Sequence, residues 1–271
     1  MPQENRYSEG LKFERVEDGY ELVGLGSCKD KAVVIPPLYE GLPVVSIATK
    51  AFHNRKRVVS VVIPDGVTYI DDLAFFGCDR LEHICMGNGI VHIGYAAFEN
   101  CPNLLFTKRG KALYLGNESN PYVVCVGPSQ RGARSYALES CPIHKDTRVI
   151  YYDAFKGFTG LAKVKIPKGV LSIGQNAFSI CESLKEVYLP DGLLILDAQA
   201  FSGCDSLTTV RIPHSLNIME TEAFSDCPNL TTIQYDGTTE EWEAIEKVDD
   251  WDANTVGHTI YCTDGNIVTI T

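Results

Sequence analysis

The 271 residues contain no uninterrupted apolar stretch near the ~18 residues that a membrane-spanning helix needs; aliphatic residues come in short bursts broken by Gly, Pro, Asp and Lys. A water-soluble product is expected, with no membrane insertion. The opening MPQENRYSEG has no basic stretch followed by an apolar one, so no secretion signal is expected in these residues. Cations are also scarce: 24 Lys and Arg face 35 Asp and Glu, a net charge of -11. That balance argues against a general nucleic-acid binder, which must neutralise phosphates. Cys-x-x-Cys pairs and Cys/His ligand clusters are missing, which removes the usual basis for a zinc site. There is no phosphate-binding glycine loop, dinucleotide fingerprint, zinc-protease helix or nucleophile elbow; Gly127-Pro128-Ser129-Gln130-Arg131-Gly132 has the wrong spacing for the last. No cofactor or metal is expected.

What is present is repetition. An Ala-Phe pair occurs at 51–52, 74–75 and 97–98, and again at 154–155, 177–178, 200–201 and 223–224, with a period of 23 residues inside each block. The blocks are offset by 57 residues, two periods and eleven more. Three positions after Phe stands Cys78, Cys101, Cys181, Cys204 or Cys227, with Arg55 and Phe158 in the other two slots. An aliphatic triplet follows, as in Leu161, Val164, Ile166 and Leu184, Val187, Leu189, and then Pro at 64, 167, 190 and 213. Aliphatic pairs three apart complete the unit, for example Val170 with Ile173 and Leu193 with Leu196. Each unit therefore reads as a short strand, a Pro turn, a second extended segment and a brief helical turn carrying Ala-Phe.

A 23-residue unit cannot bury its own aliphatic side, but units stacked about 5 Å apart place Leu over Leu and Phe over Phe in ladders. The fold expected is a solenoid of stacked coils. The same reasoning explains half of the ten cysteines: a small apolar thiol on a rung is a packing residue, so reduced core cysteines are expected rather than disulfides.

The expected organisation is one domain, 1–271. Residues 1–34 form an N-terminal hairpin cap, with Leu11 to Val16 and Tyr20 to Gly24 turning at Asp18-Gly19, ahead of Val33-Val34-Ile35. Residues 35–106 are the first repeat block. Residues 107–137 are an inserted hairpin or irregular coil, either packed or a hinge, with strands at Ala112 to Leu115 and Tyr122 to Val126. Residues 138–235 are the second block, opening with a degenerate triplet Leu138, Cys141, Ile143. Residues 236–271 are an acidic cap: a helix from Thr239 to Lys247, both tryptophans, Trp242 and Trp251, and strand-like Thr259 to Cys262 and Ile267 to Ile270. Between Asp236 and Asp252 eight acids face the single Lys247, whereas residues 106–149 carry net +4 and could meet an acidic partner or the acidic cap of another copy.

These Ala-Phe, Cys, triplet and Ile-Pro positions, with Tyr114-Leu115-Gly116-Asn117, Asn120-Pro121-Tyr122 and the Gly237-Thr238 and Trp242 ending, resemble the BspA-type, or treponemal-type, leucine-rich repeat family. The resemblance implies a right-handed leucine-rich repeat solenoid, found commonly on or outside cells of host-associated bacteria and in some protists, with some members associated with adhesion to host extracellular-matrix proteins. Secretion or a bacterial cell-surface location is thus implied by resemblance alone, and a cytoplasmic location stays open. The resemblance supplies no catalytic residue.

The chain's own residues name no catalytic group either. His53, His83, His92, His144, His214 and His258 share no repeat position beside a nucleophile and a carboxylate. Glu240, Glu241, Glu243, Asp249, Asp250 and Asp252 lack calcium-loop spacing and read as a solvated acidic cap. The better candidate is the outward side of the first strands. Alternation places Cys85, Lys165, Tyr188, Arg211 and Gln234 in one row, and Lys163, Glu186, Thr209 and Thr232 in the next. Such a surface could contact a protein or a glycan, and Tyr188 between Lys165 and Arg211 is its sharpest point. The expectation is a non-catalytic, monomeric binding module, with weak self-association, an envelope-assembly role and an unrecognised enzyme as alternatives.

Overall fold

The computed structural model describes residues 7–129 and 143–268. Leu138, Cys141, Arg131, Arg134 and the end of the Gly127 to Gly132 segment lie outside the described residues, as do the chain's last three. Internal contacts divide the chain into two compact units, one comprising 1–107 with 114–123 and the other 108–113 with 124–271.

In the first unit the N-terminal hairpin forms as its Asp18-Gly19 turn predicts: Lys12–Val16 runs antiparallel to Gly19–Gly24. From there the pairing becomes parallel, coil on coil. Gly19–Gly24 pairs with Leu42–Ile47, which pairs with Tyr69–Ile70, then His92–Ile93. A separate sheet stacks Ala32–Val34, Ser60–Val62 and His83–Cys85, in register every 23 residues over its last two strands.

The second unit repeats the plan. One parallel sheet runs Val149–Ile150, Ser172–Ile173, Ile195–Leu196, Ile218–Met219 and Glu246–Lys247. The other runs Glu186–Tyr188, Thr209–Ile212, Thr232–Tyr235 and Thr259–Tyr261, closed by antiparallel Asn266–Val268. The acidic helix is shorter than the sequence suggests. It spans Thr239–Ala244, opens on a capping box between Thr238 and Glu241, and gives way to the strand Glu246–Lys247. Helical pattern and strand overlap here because the last rung of the sheet recruits residues that local propensity leaves undecided.

The Ala-Phe segments explain the coil spacing. Their N–H groups alternate between two kinds of partner. Phe178 N–H reaches across to the Ala200 carbonyl of the next coil (2.8 Å), while Ser179 N–H turns back on Asn176 (3.1 Å) and Ile180 N–H crosses again to Ser202 (2.7 Å). Phe155 to Ala177, Phe201 to Ala223 and, in the first unit, Phe52 to Ala74 repeat the crossing bond at 2.7–2.8 Å. Successive tight turns are thereby bonded into a third inter-coil ladder, which gives the crossing N–H groups partners away from water. The alternation requires left-handed backbone two residues before and two after each Phe. The later position holds Asn54, Gly77, Asn100, Gly157, Gly203 and Asp226, residue types that accept it, but also Ile180 at φ 59°, a β-branched residue where it is costly.

The core is the set of ladders. Phe155, Phe178, Phe201 and Phe224 are fully buried and stack at 5.1, 5.1 and 5.5 Å between ring centroids, all within about 6° of parallel. Trp251 ends the column edge-on to Phe224 at 6.2 Å, and Trp242 meets Trp251 at 5.8 Å. The two tryptophans close the apolar column, since a perpendicular indole covers a phenyl face that has no further Phe above it. Phe52, Phe75 and Phe98 form the corresponding column of the first unit at 4.7 and 5.4 Å.

Candidate functional site

The cysteines are the first candidates for chemistry, and the fold assigns them a structural task. Each repeat thiol donates to the carbonyl of the Phe one coil earlier: Cys78 to Phe52 (3.0 Å), Cys101 to Phe75 (3.1 Å), and Cys181, Cys204 and Cys227 to Phe155, Phe178 and Phe201 (3.3 Å each). A thiol is small enough for the rung and can still satisfy the carbonyl's second lone pair. All nine described cysteines are free. Burial pushes the Cys181 thiol up to about 12, and Cys204 is raised by its bond with Cys227 and by burial. Cys181 and Cys204 are thereby poor nucleophiles.

The histidines are dispersed. His258 is buried in the C-terminal cap, 3.6 Å from Asp252 and edge-on to Trp251 at 5.5 Å, with burial lowering its pKa. His144 lies 3.6 Å from Asp146, and His92 lies beside Tyr69 with ring centroids 5.9 Å apart. Among the described residues no group of three or more His, Cys, Asp and Glu side chains is placed to hold a metal ion.

The outward rows form only in part. Tyr188, Arg211 and Gln234 are in register on adjacent strands, and the row continues to Tyr261. Glu186, Thr209 and Thr232 align likewise and continue to Thr259. Cys85 belongs instead to the three-stranded sheet of the first unit. Lys163 and Lys165, expected on a strand, are on none: residues 161–168 join no sheet, and Glu186–Tyr188 is an edge strand. The other sheet of the same unit runs through Ser172–Ile173 without interruption. One face of the stack is thus open between the 161–168 coil and the next.

That opening is a groove of about 740 Å³. Val164, Ile166, Leu189 and Pro190 give it an apolar floor, and Tyr188, 52% exposed, stands at its side. Exposed Lys163, Lys165 and Lys168 line it together with the acids Glu186 and Asp191, and these lysines make no ion pair among the described residues. Arg211 also lines it but is not the free cation that the sequence suggests. Its Nε donates to Asp236 Oδ1 at 3.0 Å, its Nη2 lies 2.6 Å from Asp236 Oδ2 and 3.8 Å from Asp191, and the Asp236 bond raises its pKa. The acid that holds it lies 25 residues on, one coil away, so the fork is invisible to local pattern. Glu186 accepts from the Tyr188 hydroxyl (3.2 Å), which raises the phenol's pKa and fixes the ring's direction. Gln234, two strands further along the sheet, does not line the groove.

Stacked 23-residue coils with Phe, Cys and aliphatic ladders, shielded by a hairpin and a tryptophan cap, define a leucine-rich repeat protein. The chain belongs to the BspA-type leucine-rich repeat family, whose model matches residues 43–109 and 133–244 in six copies. Among solved structures it is similar to a leucine-rich repeat protein of T. pallidum, at 25% identity over 84% of this chain and 83% of that one, with a TM-score of 0.35. It is also similar to a leucine-rich cell surface protein of Faecalibacterium prausnitzii A2-165 (18% identity, 88% and 96% covered, TM-score 0.43). A third is the pneumococcal vaccine antigen PcpA (17% identity, 80% and 62% covered, TM-score 0.44). No curated protein matches the chain.

Proposed function

We propose that the chain is a non-catalytic recognition module that binds a protein or glycan through the groove beside Glu186–Tyr188. The observation that carries this reading is the interrupted sheet face. Where every other coil of that sheet pairs with its neighbour, residues 161–168 stand apart and leave an apolar floor, an exposed tyrosine and three lysines without ion pairs in one concavity. Concave apolar surface with a few polar groups at its edge is the usual form of a binding site. The three lysines outnumber the groove's acids, Glu186 and Asp191, and break no ion pair among the described residues when a ligand recruits them. Tyr188, whose hydroxyl bonds to Glu186, offers contact area at little entropic cost. Family kinship supports a place outside the bacterial cell or on its surface; among the described residues no helix is long and apolar enough to cross a membrane.

The test is a binding screen against extracellular-matrix proteins and a glycan array, run with the native chain and with Lys165, Tyr188 and Arg211 changed together to Ala. Saturable binding lost in a folded triple variant is the expected result. Binding that the substitutions leave intact would move the site elsewhere, first to the basic residues near Lys108 and Arg109.

A further inference from the structure

The groove also has a backbone side. In the sheet that begins at Glu186–Tyr188, Thr208 N–H donates to the Lys185 carbonyl (2.9 Å) and Leu189 N–H donates to the Arg211 carbonyl (3.0 Å). Residues 185, 187 and 189 therefore direct their peptide groups toward the next coil. By the two-residue alternation of a parallel ladder, Glu186 and Tyr188 direct theirs into the groove, where no strand follows. An edge of this kind is a template for one more strand.

Resting on the reading above, we infer that the groove takes an extended acidic peptide segment of a partner protein, added as a strand to the free edge of Glu186–Tyr188. The chemistry selects the occupant in two ways. An added strand satisfies the peptide groups of Glu186 and Tyr188, which a glycan cannot do in register. A strand also presents alternate side chains to opposite sides. Half-buried Val164 and buried Ile166 suit an aliphatic residue; exposed Lys163, Lys165 and Lys168, which outnumber the groove's acids Glu186 and Asp191, suit Glu or Asp. The ligand pattern is therefore an alternation of acidic and aliphatic residues. Lysine as the recruiting cation makes the attraction long in reach and sensitive to salt.

The direct experiment uses a fluorescein-labelled peptide of alternating Glu and Val, about eight residues long, a little longer than a typical strand. Its binding to the full chain is followed by fluorescence anisotropy. Saturable binding is expected, weakened about tenfold or more by Lys163→Gln, Lys165→Gln and Lys168→Gln combined, and equally by N-methylation of alternate peptide nitrogens, which keeps the charge but removes the strand's donors. These lysines are exposed, and circular dichroism checks that the variant keeps the native fold. Tyr188→Pro, which deforms the free edge without altering the lysines, is a second variant expected to lose the peptide. Equal affinity for the N-methylated peptide would reduce the site to charge alone and overturn strand addition. No peptide binding, with a glycan or folded-protein ligand that still depends on the groove, would overturn this inference and leave the recognition reading standing. Concentration-dependent dimerisation that the lysine variant abolishes, without peptide binding, would give the groove to a second copy and overturn it as well.

Discussion

At the scale of single residues, the fold places unusual demands on a few side chains, and each can be measured. Phe201 stacks between Phe178 and Phe224 and is fully buried, so Phe201→Ala removes two ring contacts and leaves a cavity. The expected loss is about 3–5 kcal/mol by chemical denaturation. Ile180 gives the opposite expectation. It holds a left-handed backbone at φ 59° while its side chain is 43% exposed. Asn54 and Asn100 hold the same slot in other coils, and Ile180→Asn should stabilise the chain by about 1 kcal/mol, read as a higher melting temperature. Cys181 adds a pH dependence. Burial raises its thiol from an ordinary value of 9.0 to about 12, so above pH 9 the unfolded chain loses a proton that the folded chain keeps. Stability is therefore full below pH 9 and declines above it, by up to about 1.4 kcal/mol per pH unit from this one group. Urea titrations between pH 8 and 10.5 should show a shallower decline for Cys181→Ala than for the native chain.

At the scale of elements, the caps decide whether the stack can end. The helix Thr239–Ala244 is short, and its first turn depends on the reciprocal bonds of Thr238 and Glu241. Lys247 reaches back to the carbonyls of Trp242 and Ile245 at its other end. Removing the cap with Thr238→Ala should cost about 1 kcal/mol and be seen in thermal melts. The C-terminal cap of the stack also holds His258, whose pKa burial lowers from 6.5. The unfolded chain takes up a proton below that pH before the folded one does, so stability is full above about pH 6.5 and falls as the pH falls. Since His258 lies against Trp251, tryptophan fluorescence during denaturation is the natural readout, and His258→Phe should flatten the acidic decline. The sequence pattern already marks this cap, its tryptophans and the N-terminal hairpin; the helix's early stop and the strand Glu246–Lys247 depend on pairing with Ile218–Met219, which no local window contains.

At the scale of the whole molecule, cohesion comes from repetition rather than from staples. The nine described cysteines are free and five of them spend their hydrogens on carbonyls between coils. Unfolding midpoints should therefore be the same with and without a reductant or a chelator; a large drop with either would contradict a stack held by its ladders. The content of those ladders can be read directly from the residues. A 23-residue period leaves the same side chain on each rung, and burial of Phe, Cys and Leu follows from identity and spacing alone. The sequence also marks the outward residues Tyr188, Arg211, Lys163 and Lys165. How they are arranged together depends on contacts between coils. Leu161, Val164 and Ile166 have the same alternation as Leu184, Val187 and Leu189, yet one segment stands outside the sheet and the other forms its edge. Asp236 holds Arg211 from another coil and leaves the lysines as the groove's available cations. The physical reason is the range of the forces involved. Side-chain burial is recorded in each segment's own pattern, whereas backbone pairing and ion pairing between coils belong to two segments at once and are fixed only when the coils meet.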